Sequence, residues 1–311
     1  MKLIVSILLS LLCHTVLVGY ATASPTHCPP SEGLSLQVLG SGGPIADDDR
    51  ASTSYLVWID GKSRLMIDSG GGSFLRFAQA GGNFENLDHI GISHFHTDHS
   101  TDLVALLKSG YFSDRNNELS ISGPTAGGLY PGLTDYLARL LDSNSGVYAY
   151  LSGYLDGSGG LVKLEPSEID PGLPKASLVY KHATDDIEVL ALGVPHGPVP
   201  ALAFRVSIGQ KSIVFSGDQN GSSDAFIDFA RETDVLVMHM PVPETISGVG
   251  RNLHAPPSVI GDIAAKTNSR LLVLSHFMAR SLDHFDDSLK EIRSRYPGPL
   301  VSAHDLECVN F

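Results

Sequence analysis

The chain carries the same strand pattern twice, and this repeat limits the folds open to it more than any other feature. Residues 53–60 form an apolar run, Tyr55-Leu56-Val57-Trp58-Ile59. Asp60-Gly61 is a favoured two-residue hairpin turn, and Leu65-Met66-Ile67 follows, ending at Asp68-Ser69-Gly70. Residues 201–208 read as a second such strand, with Gly209-Gln210 as its turn and Ile213-Val214-Phe215 as its partner, ending at Ser216-Gly217-Asp218. Each hairpin thus closes on an aspartate beside glycine and serine. Further on, Ile90-Gly91-Ile92-Ser93-His94-Phe95 matches Leu272-Val273-Leu274-Ser275-His276-Phe277. Two matches in the same order point to two related α/β halves. Helical segments are expected over 73–80, 100–109, 133–141, 224–231, 257–265 and 285–296, with Leu133, Leu137, Leu140 and Leu141 at helical spacing. Strand pairs interleaved with helices imply sheets covered by helices.

The segment His94-Phe95-His96-Thr97-Asp98-His99 holds four potential metal ligands at a strand end. Imidazoles and a carboxylate crowded this closely are the usual material of a metal site. His94 and His96 share one side of an extended segment. Asp98 and His99 lie just beyond, where the chain must turn toward a second position.

The composition is ordinary for a globular protein, 42% hydrophobic and 18% charged over 311 residues. Lys2 precedes an apolar run from Leu3 to Val18, and Ala21-Thr22-Ala23 forms a small-residue cleavage site before Ser24. Residues 1–23 are therefore expected to be a secretory signal peptide, and residues 24–311 a single domain. A secreted or periplasmic protein follows, with no stable membrane insertion after cleavage. Cys28 and Cys308 could pair in such a compartment, a question of geometry that spacing leaves open. The net charge is −13, from 34 acidic and 21 basic residues, with no cluster of Lys or Arg. A protein that neutralises many phosphates needs such a cluster. Long nucleic acid is thus expected not to be a partner, and a small anionic ester, drawn by bound cations, is expected instead. A homodimer is left open.

In this order the residues resemble the metallo-β-lactamase-fold hydrolase superfamily. His94-x-His96-x-Asp98-His99 is its hallmark motif. Asp68 matches its upstream aspartate, His196 in Val194-Pro195-His196-Gly197 its third motif, Asp218 its bridging aspartate and His276 its last histidine. The resemblance covers residues 36–304 and implies a four-layer αββα sandwich. It also implies a role for Asp68 in hydrogen-bonding behind the ligands. A narrower likeness is to the ribonuclease Z-like branch, which includes phosphodiesterases and certain arylsulfatases. It rests on Leu39-Gly40-Ser41-Gly42-Gly43-Pro44, on residues 53–57, and on Leu272 to Phe277 followed by Arg280. His254 falls where that branch carries a catalytic histidine outside the ligand set, although Ala255-Pro256 follows it here. The branch has glutamate where this chain has Met240, after His239. Together with the expected export and the acidic surface, this departure argues against transfer-RNA processing.

Two nearby cations need an anionic bridge, which Asp218 can supply. One metal would take His94, His96, His196 and Asp218; the other would take Asp98, His99, Asp218 and His276. Ligands without thiolate favour two zinc ions and allow iron or manganese. A water shared by two cations ionises near neutral pH and serves as nucleophile. Asp98 and His254 are the expected catalytic residues, His254 through the leaving group. The favoured reaction is hydrolysis of a small phosphate or sulfate ester, with a phosphodiester ahead. A lactone, thioester or β-lactam is the alternative substrate, and a non-catalytic metal-binding protein the alternative of another class. A flavin-coupled diiron module is disfavoured because that group carries glutamate at the position of His96. His89, His182, His239, His284 and His304 show no partner pattern and read as structural or exposed. Residues 146–160 read as a solvated surface loop in preference to a lid. Arg280 is open between substrate contact and a surface ion pair.

Overall fold

The computed structural model describes Cys28 and residues 33–311, so the expected signal peptide lies outside the described residues. One sheet contains β1 (Leu34–Gly40), β2 (Ser54–Ile59), β3 (Lys62–Ile67), β4 (His89–Gly91), β5 (Leu119–Pro124) and β6 (Leu164–Ile169). The other contains β7 (Ser177–Lys181), β8 (Ile187–His196), β9 (Val199–Ile208), β10 (Lys211–Phe215), β11 (Val235–His239), β12 (Leu271–Ser275) and β13 (Leu300–Ser302). The last strand, β14 (Glu307–Asn310), returns to the first sheet. The strand orders are β14-β1-β2-β3-β4-β5-β6 and β13-β12-β11-β10-β9-β8-β7.

The period-two alternation of each strand builds the layers. In β2, Tyr55, Val57 and Ile59 join the core between the sheets, while Leu56 and Trp58 face the outer core. In β11, Val235 and Val237 point inward and Leu236 and Met238 outward. Helices α1 (Ser73–Gln79), α2 (Thr97–Ser100), α3 (Leu103–Gly110), α4 (Leu133–Leu141) and α5 (Gly153–Asp156) belong to the first half. Helices α6 (Asp224–Phe229), α7 (Gly248–Leu253), α8 (Pro257–Lys266), α9 (Ala279–Leu282) and α10 (Phe285–Arg295) belong to the second. The result is the expected αββα sandwich. Among the described residues, no helix is long and apolar enough to cross a membrane.

In both halves an antiparallel hairpin feeds parallel strands, β2-β3 to β4 and β9-β10 to β11. Asp60 and Gly61, both at positive φ, make the first turn. The Ser-His-Phe match is offset, however: β4 lies beside β3, whereas β12 lies one strand beyond β11. By sheet position the counterpart of β4 is β11, which ends in His239.

The helix expected over 100–109 divides into α2 and α3. The Asp102 amide donates to Ser69 O at 2.9 Å, and its carboxylate accepts from the Phe74 amide at 3.0 Å, so the hairpin end claims the joint. Residues 146–160 are not a freely solvated loop. Leu151 and Tyr154 are buried, and the Tyr154 hydroxyl donates to Leu107 O at 2.7 Å. Cys28 and Cys308 form a disulfide with Cα atoms 5.4 Å apart.

His89 is one structural histidine with a clear account. It lies between the sheets, Nδ1 2.8 Å from Ser120 Oγ, Nε2 3.0 Å from Ser122 Oγ, and its ring stacks on Tyr180. Burial pushes its pKa down from 6.5 to about 3. An unfolded chain binds a proton here below pH 6.5 and the fold does not until about pH 3, so this contribution is complete above pH 6.5 and is lost as pH falls toward 3. Its slope is at most about 1.4 kcal/mol per pH unit. Denaturant unfolding between pH 7 and pH 4 should show a shallower acid loss in His89→Gln than in the parent; equal slopes would contradict the assignment.

Candidate metal centre

The chemistry-bearing side chains sit at strand ends on one edge of the sandwich. Asp68 follows β3, residues 92–99 follow β4, and His196 ends β8. Asp218 follows β10, His239 ends β11, and His276 follows β12. Asp68 and His276 adopt φ of 60° and 58°. This left-handed turn swings each side chain off its strand, at roughly 1–3 kcal/mol of local strain held by the surroundings. At Gly217 φ is 57° and a Cβ would lie 2.3 Å from Leu202 O, so only glycine lets the chain pass there to present Asp218. At Gly70 a Cβ would lie 2.1 Å from Asp98 O, so glycine is what lets the His94–His99 turn rest on the first hairpin.

Seven expected residues converge. Donor atoms of His94, His96, His196 and Asp218 lie within 4.8 Å of one another, as do those of His99, Asp218, His239 and His276. Asp218 is common to both groups, its Oδ2 standing 4.0 Å from His94 Nε2, 3.6 Å from His196 Nε2 and 3.7 Å from His99 Nε2. Asp98 Oδ2 is 3.2 Å from His276 Nε2 and 3.5 Å from His99 Nε2, placing it beside the second group. His239 is an addition: the sequence offers it no partner, and the structure gives it two, Asp218 Oδ1 at 2.7 Å and Tyr55 Oη at 2.9 Å. The apolar run Val235 to Met238 ending in histidine is the signal that could have found it.

These residues fit a pair of divalent cations. His94 Nε2 faces His96 Nδ1 at 3.0 Å, and His99 Nε2 faces His276 Nε2 at 3.2 Å. His196 Nε2 is buried with no hydrogen-bond partner. Nitrogen lone pairs directed at common points are what a nitrogen- and oxygen-liganded cation requires. The far side of most rings is held as such ligands usually are. His196 Nδ1 donates to Leu253 O at 2.9 Å, which leaves Nε2 unprotonated toward the centre. His99 Nδ1 meets Asp68 Oδ2 at 2.8 Å, and Asp68 also accepts from the Ser93 amide at 2.7 Å and the Ser93 hydroxyl at 2.8 Å. Asp68 thus ties the first hairpin to the histidine motif. His96 Nε2 lies 3.2 Å from Tyr130 Oη, a partner the sequence does not advertise.

Burial works against the charge on Asp218, yet His276, His254 and His99 outweigh it and hold the carboxyl well below its ordinary pKa. Asp98 is likewise held down against its burial, chiefly by His99 and His276. Burial keeps His94 neutral. A cavity of about 480 Å³ opens over the cluster, lined by Phe95, His96, Asp98, His196, Asp218, His254, His276 and Arg280 among others. No residue of 146–160 lines it. His254 Nδ1 is buried without a hydrogen-bond partner, 3.8 Å from Asp218 Oδ2, and burial lowers its pKa to about 3. Met240 stands in the apolar outer core and provides no carboxylate for it.

The family description "Metallo-beta-lactamase superfamily" matches residues 47–256. Ribonuclease Z of Methanosarcina acetivorans is 24% identical over 297 residues, covering 88% of this chain and 96% of that one. Ribonuclease Z of Picrophilus torridus is 27% identical over 306 residues, covering 88% and 95%. The metallo-beta-lactamase fold protein YhfI from Bacillus subtilis superimposes with a TM-score of 0.68 at 19% identity, over 89% of this chain and 98% of that one. Human tRNase Z, short form, gives 0.67 at 18%, also over 89% and 98%. These relatives overturn the expected exclusion of long nucleic acid and the restriction to a small anionic ester: they are ribonucleases by name, matched along nearly their whole length. The physical reason is that a net charge of −13 is summed over the whole chain, whereas a phosphate meets the local field of bound cations. The chain belongs to the metallo-β-lactamase superfamily and is a metal-dependent hydrolase of that fold, acting on ester bonds.

Proposed function

We propose that this protein is an exported phosphodiesterase whose centre holds two divalent cations, zinc first among them. The observation that carries the reading is Asp218 Oδ2, which stands between two sets of imidazole nitrogens. His94, His96, His196 and Asp218 would hold one cation, and Asp98, His99, Asp218 and His276 the other. When bound, such a pair lowers the pKa of water and offsets charge on phosphoryl oxygens. The chain's own groups do the rest. Asp98, kept ionised by His99 and His276, lines the cavity as a carboxylate that orients the attacking water. Neutral His254 stands in the wall, where it orients the leaving group. Arg280, its Nε fixed on Pro241 O at 2.8 Å, adds a cation to the lining for a phosphate oxygen. The name ribonuclease Z among relatives supports a phosphodiester as the bond and keeps RNA among the substrates. Export is supported by the leader-like residues 1–23 and by the disulfide between Cys28 and Cys308, a bond favoured in oxidising compartments.

Residues 24–311 should bind about two metals per chain by elemental analysis. They should turn over a chromogenic phosphodiester or a 3′-extended structured RNA, in a panel that also holds a sulfate ester, a lactone and a β-lactam. Asp218→Ala should reduce turnover more than about 100-fold and lower metal content. His254→Ala should reduce kcat by roughly 10²-fold or more with metal content unchanged. Turnover confined to the sulfate ester, lactone or β-lactam would refute the phosphodiester reading.

For export, the protein recovered outside the cytoplasm should begin at Ser24. Its unreduced peptide map should contain Cys28 and Cys308 in one cross-linked species. Full-length protein retained in the cytoplasm with free thiols would reject it.

A further inference from the structure

We propose that Tyr55 and His239 are positioning residues that fix the rotation of the Asp218 carboxylate, with Oδ2 toward both groups of imidazoles; this rests on the dinuclear reading above. The pair comes from two different sheets. Alternation along β2 turns Tyr55 into the space between them, where it is fully buried and its ring lies 5.2 Å from that of Phe215. β11 ends in His239, which is buried and stacks on His276 with ring centres 4.7 Å apart.

The direction of each hydrogen bond follows from the chemistry of its partners. An ionised carboxylate only accepts, so at 2.7 Å it is His239 Nδ1 that carries the proton and donates to Asp218 Oδ1. The neutral ring then offers a lone pair at Nε2, and at 2.9 Å the Tyr55 hydroxyl donates to it. Both ring nitrogens are thereby engaged. His239 lies near enough to be counted with His99, Asp218 and His276, but it has no lone pair left for a cation. Asp98, 3.2 Å from His276 Nε2, completes that set instead.

The consequence falls on Asp218. A carboxylate free to rotate can turn both oxygens onto one cation. With Oδ1 held by His239 and 3.4 Å from His276 Nε2, Oδ2 stays within 3.6–4.0 Å of nitrogens belonging to both groups. The hydrogen bond also satisfies one side of a carboxylate that is almost wholly buried, where an unpaired charge is strongly disfavoured.

The test measures metal per chain in the mature protein during equilibration against graded chelator. The parent is compared with His239→Leu, His239→Asn and Tyr55→Phe, and circular dichroism confirms each fold. His239→Leu should release metal at roughly 10- to 100-fold lower chelator, the usual effect of losing such a support. His239→Asn, which keeps an N–H near the Nδ1 position, should recover most of that loss, and Tyr55→Phe should show a smaller loss than His239→Leu. Parental affinity in folded His239→Leu, or an asparagine variant as weak as the leucine one, would overturn the proposal. If His239→Leu does not fold, Tyr55→Phe decides alone, and parental affinity there overturns it. A parent that binds no metal removes the dinuclear reading as well, whereas a metal-binding parent with unaffected variants removes only this inference.

Discussion

Asp218 is a carboxylate almost without solvent, ringed by imidazoles, and the rest of the centre is arranged around it. Burying such a charge is tolerable only where hydrogen bonds and positive charge surround it. That requirement explains why so many strand ends from two sheets meet at one point. No single sheet presents donors on all sides of a carboxylate, but two sheets packed face to face can. The left-handed residues Asp68 and His276 and the close passage at Gly217 serve the same end, each redirecting the chain where a straight strand would carry its side chain away.

Much of this was legible in the sequence. The hairpins ending in Asp68 and Asp218 and the His94–His99 motif follow from turn chemistry and the types of residue that bind metals, whereas His196 and His276 stand out through the family resemblance, His276 with the help of the repeat. What was not legible depends on lateral position. His239 looks isolated because its two partners, Tyr55 and Asp218, lie 184 and 21 residues away and meet it only when the sheets close. The offset between β4 and β12 has the same origin, since a sequence motif does not tell how many strands stand between it and its hairpin. Tyr154 pins residues 146–160 through one hydroxyl to Leu107, a contact that no local pattern in glycine, serine and tyrosine reveals.

Charge acts on a phosphate at two scales. Whole-chain charge governs long-range attraction, whereas a reacting phosphate responds to the few ångströms around it. An acidic protein can therefore work on a polyanion if the cations are concentrated at the site. Met240 marks a different departure: it adds no second carboxylate to Asp218 near His254, and burial keeps that ring neutral in the wall, which shapes the chain's contribution to the leaving group.

The two halves look like modules, yet the strand order interlocks them. The first sheet gains its outer strand, β14, only from the last residues described, and β13 at the edge of the second sheet immediately precedes it. The bond between Cys28 and Cys308 closes the same loop covalently. A cut between β6 and β7 would therefore not yield two self-sufficient pieces, because the amino-terminal piece would expose the edge of β1 that β14 normally covers. Whatever the repeated hairpins record, the first sheet is unfinished until β14 joins β1 at its edge.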